Sequence, residues 1–150
     1  MISKMLHINE VDVTPHPVMY TCYGLGSCIG LFISDRQYKL SGGAHIPLPK
    51  SMGDGSLHDA PMMISRLLQS FINLGSDLSC LRAKITGGAR VFETSQDIGT
   101  QNADAVFQQL VSNRIFVAAC DVGGSISRTA RFNSITGELQ VSTLHKIYSI

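Results

Sequence analysis

Two short runs of β-branched and aromatic residues lie close together in the first quarter of the chain, over Val18 to Tyr23 and over Ile29 to Ser34. Runs of this kind favour β-strands. Only the glycine-rich connection from Gly24 to Ser27 separates them, and such a connection is typical of a tight reversal. A polar stretch, Asp35 to Lys39, then predicts a hairpin turn into a third strand over Leu40 to Leu48. These segments require the fold to contain antiparallel β-structure.

The third predicted strand carries two consecutive glycines, Gly42 and Gly43. Glycines inside a strand pattern predict either a bulge or a close approach of another part of the backbone. Pro47 and Pro49 end this strand. The chain then becomes rich in serine, glycine and aspartate from Lys50 to Leu57, which predicts a polar surface loop.

Two amphipathic helices are predicted from the spacing of apolar residues. Asp59 can cap the first helix, and Gly75 ends it. A second helix is predicted from near Thr100 to about Asn113, with its apolar residues on one face. The apolar positions that recur in the first helix are Met63, Leu67, Phe71 and Leu74.

Four further apolar runs predict strands over residues 80–86, 115–120, 129–132 and 139–144. Thr136-Gly137 is the predicted hairpin turn between the last two. The order of elements indicates an α/β fold with a mixed, mostly antiparallel sheet, two-layer or sandwich-like, and two main helices. No repeat or linker interrupts the pattern, so residues 1–150 are expected to form a single domain.

The charge composition argues against two classes of partner. Lysine and arginine number 12 and the acidic residues 11, giving a net charge of +1, with no long basic block to attract nucleic acid. A membrane-spanning helix needs about 20 consecutive apolar residues. The longest apolar runs, Ile29 to Ile33 and Ile115 to Cys120, are far shorter, and the N-terminus lacks a signal-peptide core. We therefore expect a cytoplasmic protein without nucleic-acid binding or membrane insertion.

The chain has four cysteines and no Cys-x-x-Cys pair, so the usual spacing of a structural zinc site is missing. Cys22, Cys28 and His45 could be drawn as three zinc ligands, but a six-residue cysteine spacing across a glycine turn is atypical of zinc, and we expect no metal. Cys80 and Cys120 lie in apolar strand patterns and are predicted to be core residues.

Cys28 stands apart from the other cysteines because Gly24, Gly26 and Gly30 surround it, which lets the backbone approach a substrate closely. A free thiol has a pKa of about 8.5 and is a few per cent thiolate at neutral pH, so nucleophilic attack requires a base. His45 is the candidate base, because paired strands bring their side chains together, and the glycines before it would leave room for the reacting group. On these residues alone, a structural cysteine and a core histidine remain the alternative.

The wider sequence pattern resembles a known family. Residues 24–28, Gly-Leu-Gly-Ser-Cys, and 43–49, Gly-Ala-His-Ile-Pro-Leu-Pro, resemble the signature of CheD-type chemoreceptor glutamine deamidases. Further blocks at 83–89, 98–102, 121–128 and 132–137 are similar to the family's later blocks in the same order. The resemblance covers the chain from about Met19 to Leu144, and ordered motifs over such a length are more specific than any one of them.

The resemblance implies hydrolysis of glutamine side chains in methyl-accepting chemotaxis receptors, giving glutamate and ammonia without a cofactor. Cys28 would attack the amide carbon and form a thioester, while His45 would hold and return the proton. Backbone N–H groups of the turn, at Gly26 and Ser27, would stabilise the oxyanion. The implied partners are the cytoplasmic helices of chemoreceptors, with a CheC-type phosphatase as a further candidate.

One position departs from the family pattern. The family usually has a threonine six residues before the cysteine, where this chain has Cys22. Thr21 is one residue away, and neighbouring side chains in a strand face opposite sides. Either a backbone carbonyl orients His45, or Cys22 serves as the third catalytic residue, or activity is reduced. The last alternative corresponds to a catalytically weak binding or regulatory module that engages receptors or a CheC-type phosphatase, and a weaker third reading is a hydrolase of small amides.

Overall fold

The structure, a computed structural model, describes residues 1–51, 55–93 and 96–150. Part of the predicted polar loop from Lys50 to Leu57 therefore lies outside the described residues. The elements, in chain order, are β1 (Ile2–Met5), β2 (Val11–Thr14), β3 (Val18–Leu25), β4 (Ile29–Asp35), β5 (Leu40–Ile46), α1 (Ala60–Asn73), a 3₁₀ helix (Leu78–Cys80), β6 (Leu81–Gly87), α2 (Ile98–Ser112), β7 (Phe116–Val122), β8 (Arg128–Asn133), β9 (Leu139–Ser142) and β10 (Ile147–Ser149).

The strands form two five-stranded mixed sheets. The outer sheet has the order β1-β3-β8-β9-β10, and the central sheet has the order β2-β5-β4-β6-β7. Only the pairs β1 with β3 and β6 with β7 are parallel among those of the described residues. The predicted α/β class with a mostly antiparallel, sandwich-like arrangement and two main helices is thus confirmed, with two sheets in place of one.

Two apolar cores hold three layers together. The outer and central sheets pack face to face, and across them the rings of Phe32 and Phe132 stack with centroids 5.4 Å apart. The second core lies on the other face of the central sheet, where α1 and α2 cover it. Residues of β4 alternate between the two cores, with Leu31 and Ile33 facing the helices. Each fully buried side chain of this kind contributes about 2 kcal/mol to stability.

The first helix, α1, is confirmed as predicted from its sequence. The Asp59 side chain accepts a hydrogen bond from the N–H of Met62 at 2.9 Å, which satisfies one of the free donors of the first turn. Gly75, at a φ of +103°, follows the last turn and ends the helix. The apolar residues Met63, Leu67 and Phe71 are fully buried against the central sheet. The fourth predicted position, Leu74, is wrong: it is the C-cap and is half exposed.

The second helix, α2, begins at Ile98, slightly earlier than the predicted start near Thr100. Its N-cap is Asp97, whose carboxylate accepts hydrogen bonds from the N–H and the hydroxyl of Thr100 at 3.1 and 2.8 Å. The predicted start was too late because the recurring apolar positions begin only at Ala103, and Ile98 and Gly99 of the first turn lie before that pattern. None of the helices among the described residues combines the length and apolarity that crossing a membrane would require.

Gly42 and Gly43 mark a close approach of neighbouring chain and not a bulge, because β4 and β5 pair without a register shift. A Cβ atom on Gly42 would lie 2.8 Å from the carbonyl oxygen of Asp12, and one on Gly43 would lie 2.7 Å from the side chain of Leu6. The two glycines thus make room for β2 and for Leu6. The expectation that they leave space for a reacting group is wrong.

Three short strands, β1, β2 and β10, were not predicted, and two cysteines were misplaced. All three strands lie at sheet edges, where fewer side chains are buried and the apolar pattern is weak. The prediction that Cys80 and Cys120 are core residues is wrong, since Cys80 is only partly buried and Cys120 is exposed. Cys120 belongs to β7, the edge strand of the central sheet.

Candidate active site

The connection between β3 and β4 is held in place through its carbonyl groups. The carbonyl of Gly26 accepts a hydrogen bond from Ala89 N–H at 2.8 Å, and that of Cys28 accepts one from Gly88 N–H at 2.9 Å. Between them, the carbonyl of Ser27 accepts a hydrogen bond from the side-chain amide of Asn102 at 2.8 Å. The turn that carries Cys28 is therefore fixed from three successive positions.

Cys28 lines an open cleft of about 470 Å³. The thiol is partly exposed, unlike that of Cys22, which is completely buried. Arg90, Val91 and Phe92 also line the cleft, and Phe92 is 78% exposed. Burial raises the pKa of the Cys28 thiol above its ordinary value, so the neutral thiol predominates at neutral pH.

The strand register places His45 near Cys28 on the same face of the central sheet. His45 lies directly opposite Gly30 in the pairing of β4 with β5, and Cys28 precedes Gly30 by two residues. Cys28 lies directly before β4 and packs against the core between the sheets, the side to which the alternation of β5 directs His45. Diagonal neighbours of antiparallel strands typically have Cβ atoms about 7 Å apart. That separation lies within the combined reach of a thiol and an imidazole.

The His45 ring is held by a backbone carbonyl group. Its Nδ1 lies 2.9 Å from the carbonyl oxygen of Leu6. A carbonyl only accepts hydrogen bonds, so Nδ1 carries the proton and Nε2 presents a lone pair. Nε2 is buried and has no hydrogen-bond partner among the described residues. Because burial disfavours the charged ring, the pKa of His45 is lowered; His7 acts in the same direction, and the hydrogen bond to Leu6 and the charge of Glu10 oppose the shift.

The carbonyl that holds His45 is a feature that the sequence did not reveal. Leu6 follows β1, and its N–H donates to the carbonyl of Thr21 in β3 at 2.8 Å. Its side chain is buried between the sheets. Both anchors fix the Leu6 peptide against the outer sheet. No side-chain signature marks such a carbonyl, and β1 itself was not predicted.

Asn102 links the two halves of the site. Its side-chain amide donates to the carbonyl of Ser27, directly before Cys28, and to the carbonyl of Pro47 at 3.1 Å, two residues after His45. The side chain is completely buried, and its Oδ1 has no partner among the described residues. Asn102 belongs to the block 98–102 that resembles the family, but its sequence context did not indicate a role for it. A buried polar residue in the apolar face of a helix was the available signal.

Cys22 lies between the sheets in the same core cluster against which Cys28 packs. Burial, reinforced by the nearby Cys28, raises the pKa of Cys22 to about 12. The Cys22 thiol is therefore neutral at physiological pH. The Nδ1 atom of His45, which a third catalytic residue would hold, is already bound by Leu6.

Two pairs of consecutive glycines, Gly87-Gly88 and Gly123-Gly124, have structural roles near the site. Gly87 and Gly88 both have positive φ values, and Gly88 N–H binds the carbonyl of Cys28. The loop at Gly123 is anchored by the guanidinium of Arg128, which donates to the carbonyl of Gly123 and to Asp121. Positive φ values of this kind are typical of glycines in turns.

Comparison with known proteins identifies several relatives. A family model described as CheD chemotactic sensory transduction matches residues 48–143. A protein of Desulfitobacterium hafniense, named probable chemoreceptor glutamine deamidase CheD, is 34% identical over 96% of this chain and 96% of its own length. A protein of Thermotoga maritima, named chemoreceptor glutamine deamidase CheD, is 34% identical over 93% of this chain and 91% of its own length. One of Geobacillus kaustophilus, named probable chemoreceptor glutamine deamidase CheD, reaches 39% identity over 89% and 87%.

A solved structure shares the fold at low sequence identity. The hypothetical protein YfiH of Bacillus licheniformis superposes with a TM-score of 0.50 and 14% identity. The match covers 74% of this chain and 51% of that protein, so the chain spans about half of its length. The likeness concerns the arrangement of the layers alone.

Proposed function

The chain belongs to the CheD family, and on that premise we propose that it is a chemoreceptor glutamine deamidase. It hydrolyses the side-chain amide of receptor glutamines to glutamate and releases ammonia. One observation supports the chemistry above the others: a cysteine that opens into a cleft lies on the same side of the central sheet as a buried histidine, whose Nε2 has no hydrogen-bond partner in the described part of the chain. A nucleophile and an available base on one face are the minimum for amide hydrolysis through a thioester.

The first half of the reaction forms a thioester. Nε2 of His45 accepts the proton of Cys28 as the sulfur attacks the amide carbon. The tetrahedral intermediate then collapses, the C–N bond breaks, and His45 returns its proton to the leaving nitrogen, so that ammonia departs. In the second half, His45 deprotonates a water that attacks the thioester, and the thiol leaves with that proton. The raised pKa of Cys28 and the lowered pKa of His45 favour a neutral pair before substrate binds.

The oxyanion is stabilised by the turn itself. In a trans peptide the C=O of one residue and the N–H of the next point in opposite directions. The carbonyls of Gly26 and Ser27 are bound by Ala89 and Asn102, so the N–H groups of Ser27 and Cys28 point away from those partners. We assign the oxyanion to these N–H groups, at the turn where Gly26 and Ser27 were expected to act.

Leu6 takes the orienting role that the family gives to a threonine. Its carbonyl fixes the tautomer of His45 in which Nε2 is the base, as the third member of a catalytic triad does. This arrangement supports the first of the three alternatives for the departure at Cys22. Cys22 then contributes packing between the sheets.

The dependence of kcat/KM on pH, on the acid side, tests whether Cys28 and His45 are both neutral before substrate binds. Burial lowers the pKa of His45, so its Nε2 stays unprotonated to lower pH than an ordinary imidazole, whose pKa is about 6.5. We expect kcat/KM for a receptor fragment to hold from neutral pH down through about 6.5 and to fall only below it. A fall in kcat/KM that already begins above a pH of about 6.5 would show that a Cys28 thiolate stabilises the His45 imidazolium, and the assignment of a neutral pair would be wrong.

Asn102 is expected to be a positioning residue for the turn. Asn102→Leu leaves the carbonyls of Ser27 and Pro47 buried without their donor, and the turn loses its tie to the end of β5. We expect kcat to fall by about 10-fold to 100-fold with little change in KM, since a lost buried bond costs about 1–3 kcal/mol. Steady-state kinetics on the folded protein measures the two constants separately.

Asn113→Ala is the matched control for that variant. It removes a side-chain amide bond to the carbonyl of Gln109 at the other end of α2, at 2.8 Å, and leaves the turn untouched. Its kcat should equal that of the parent chain. If Asn102→Leu lowers stability but leaves kcat unchanged, Asn102 only supports the fold.

The overall activity is tested with the purified protein and a receptor cytoplasmic fragment. Conversion of each glutamine to glutamate changes the fragment's mass and releases ammonia, and both are measurable. A binding or regulatory module would associate with the fragment without changing its mass. A hydrolase of small amides would consume free glutamine, which an enzyme that recognises receptor helices should largely ignore. Addition of a CheC-type phosphatase to the same assay tests that proposed partner.

A further inference from the structure

A second concave region lies at the other end of the sandwich from Cys28. It encloses about 820 Å³, a volume in the range of small-molecule sites. Its lining includes Ser34 and Asp35 at the C-terminal end of β4, whereas Cys28 directly precedes the first residue of this strand. At about 3.3 Å per residue, the length of β4 separates the two regions by about 20 Å. The proposed deamidation does not use this pocket.

Positive charge is concentrated in the pocket wall. Arg82 and Lys84 lie two residues apart on β6 and share a face, and Arg36 and Lys39 come from the exposed turn between β4 and β5. These are four of the twelve lysines and arginines of a chain whose net charge is only +1. Like charges so close together repel each other unless an anion lies between them.

Two of the four cations are held in place. The ammonium of Lys84 donates to the carbonyl of Gly137 at 2.7 Å and to the main-chain carboxyl oxygen of Ile150 at 2.8 Å, which leaves one of its three donors available. The guanidinium of Arg82 lies over the ring of Phe116, 5.8 Å from its centroid. Desolvation, together with the charges of Arg82 and Arg36, lowers the pKa of Lys84.

The nearby carboxylates do not neutralise this charge. Asp35 is 1% exposed, and its oxygens accept hydrogen bonds from the hydroxyl of Ser76 and from the N–H groups of the following turn. The negative charge of Glu138 raises the pKa of Lys84, but Glu138 is a single carboxylate and is exposed. Four cations thus face three carboxyl groups, those of Asp35 and Glu138 and the main-chain carboxyl of Ile150, and Asp35 is already engaged by other partners.

We propose that this pocket binds a small organic molecule that carries a diphosphate or longer phosphate chain. The fixed Lys84 and Arg82 hold one phosphate, and the turn cations Arg36 and Lys39 close on the next, because guanidinium and ammonium groups pair strongly with phosphate oxygens. Pro15, Pro17 and Ile135 provide an apolar wall for the organic part.

Isothermal titration calorimetry at about 0.15 M salt tests the proposal, because exposed charges are largely screened there beyond about 8 Å. The probes are inorganic pyrophosphate, ADP and adenosine. We expect pyrophosphate and ADP to bind and adenosine not to bind. Tighter binding of ADP than of pyrophosphate would confirm a role for the apolar wall, and equal binding would overturn that part. Absence of binding by both phosphate compounds would overturn the whole proposal.

Two paired variants separate a specific site from general charge attraction. Arg36→Ala with Lys39→Ala removes two exposed cations of the pocket without touching the core, and should weaken ADP binding at least about tenfold. Lys50→Ala with Arg66→Ala removes two exposed cations elsewhere and should leave the affinity unchanged. Equal weakening by both pairs, or by neither, contradicts the assignment. The binding measurement does not depend on deamidase activity.

Discussion

Cys28→Ala is expected to reduce deamidation of a receptor cytoplasmic fragment by at least about 10³-fold, because removal of a covalent nucleophile leaves only binding and oxyanion stabilisation. The side chain lines the cleft and makes no hydrogen bond on which the fold depends among the described residues. The substitution leaves the backbone bonds of the turn, at Gly88 and Asn102, in place. Mass spectrometry of the fragment and ammonia release report the loss independently.

Cys80→Ala is the matched control for the nucleophile. Cys80 is also a partly exposed free cysteine, but it lies in the 3₁₀ helix and donates its thiol hydrogen to Gln37, away from the cleft. Its variant should keep the parent kcat, and iodoacetamide should still inactivate it. If Cys28→Ala still releases ammonia at the parent rate, the thioester route is wrong, although the family membership would stand.

The elements that the sequence predicts well are those that contact a core on a regular spacing. The first helix was located from one cap residue and a stripe of buried apolar residues, because a helix against a sheet must bury one face. The strand β4 was located because both of its faces are buried. The edge strands β1 and β10 are largely exposed, so their sequences carry little of that pattern, and their pairing depends on backbone contacts with strands distant in sequence.

The residues of the candidate active site also differ in how far the sequence predicts them. Cys28 and His45 can be paired from sequence, because a hairpin brings the strands that carry them together. Their diagonal relation depends on the register, which the structure supplies. The Leu6 carbonyl and the contacts of Asn102 could not be predicted, because they arise from segments 39 and 75 residues away from the groups that they bind. Tertiary packing selects such contacts, and local sequence does not encode them.

Gly87→Ala is expected to damage both the fold and the site. Gly87 has a φ of +110°, a region that alanine avoids at a cost of about 1–3 kcal/mol. A Cβ atom there would also lie 2.2 Å from the carbonyl oxygen of Cys28, so one of the two backbones must move. We expect a loss of about 3 kcal/mol or more in the free energy of unfolding, measured with urea, and a fall in kcat of the protein that remains folded.

Gly75→Ala separates the two causes of that loss. Gly75 has a similar φ of +103°, but a Cβ atom on it would have no neighbour within 4 Å. Its variant should therefore lose only the conformational part, about 1–3 kcal/mol, and keep the parent kcat. The excess loss in Gly87→Ala then measures the contact with the Cys28 carbonyl. If both variants lose the same free energy of unfolding and keep the parent kcat, the turn that carries Cys28 can move to accommodate the new Cβ atom. The close packing of Gly87 against this turn would then not position the nucleophile.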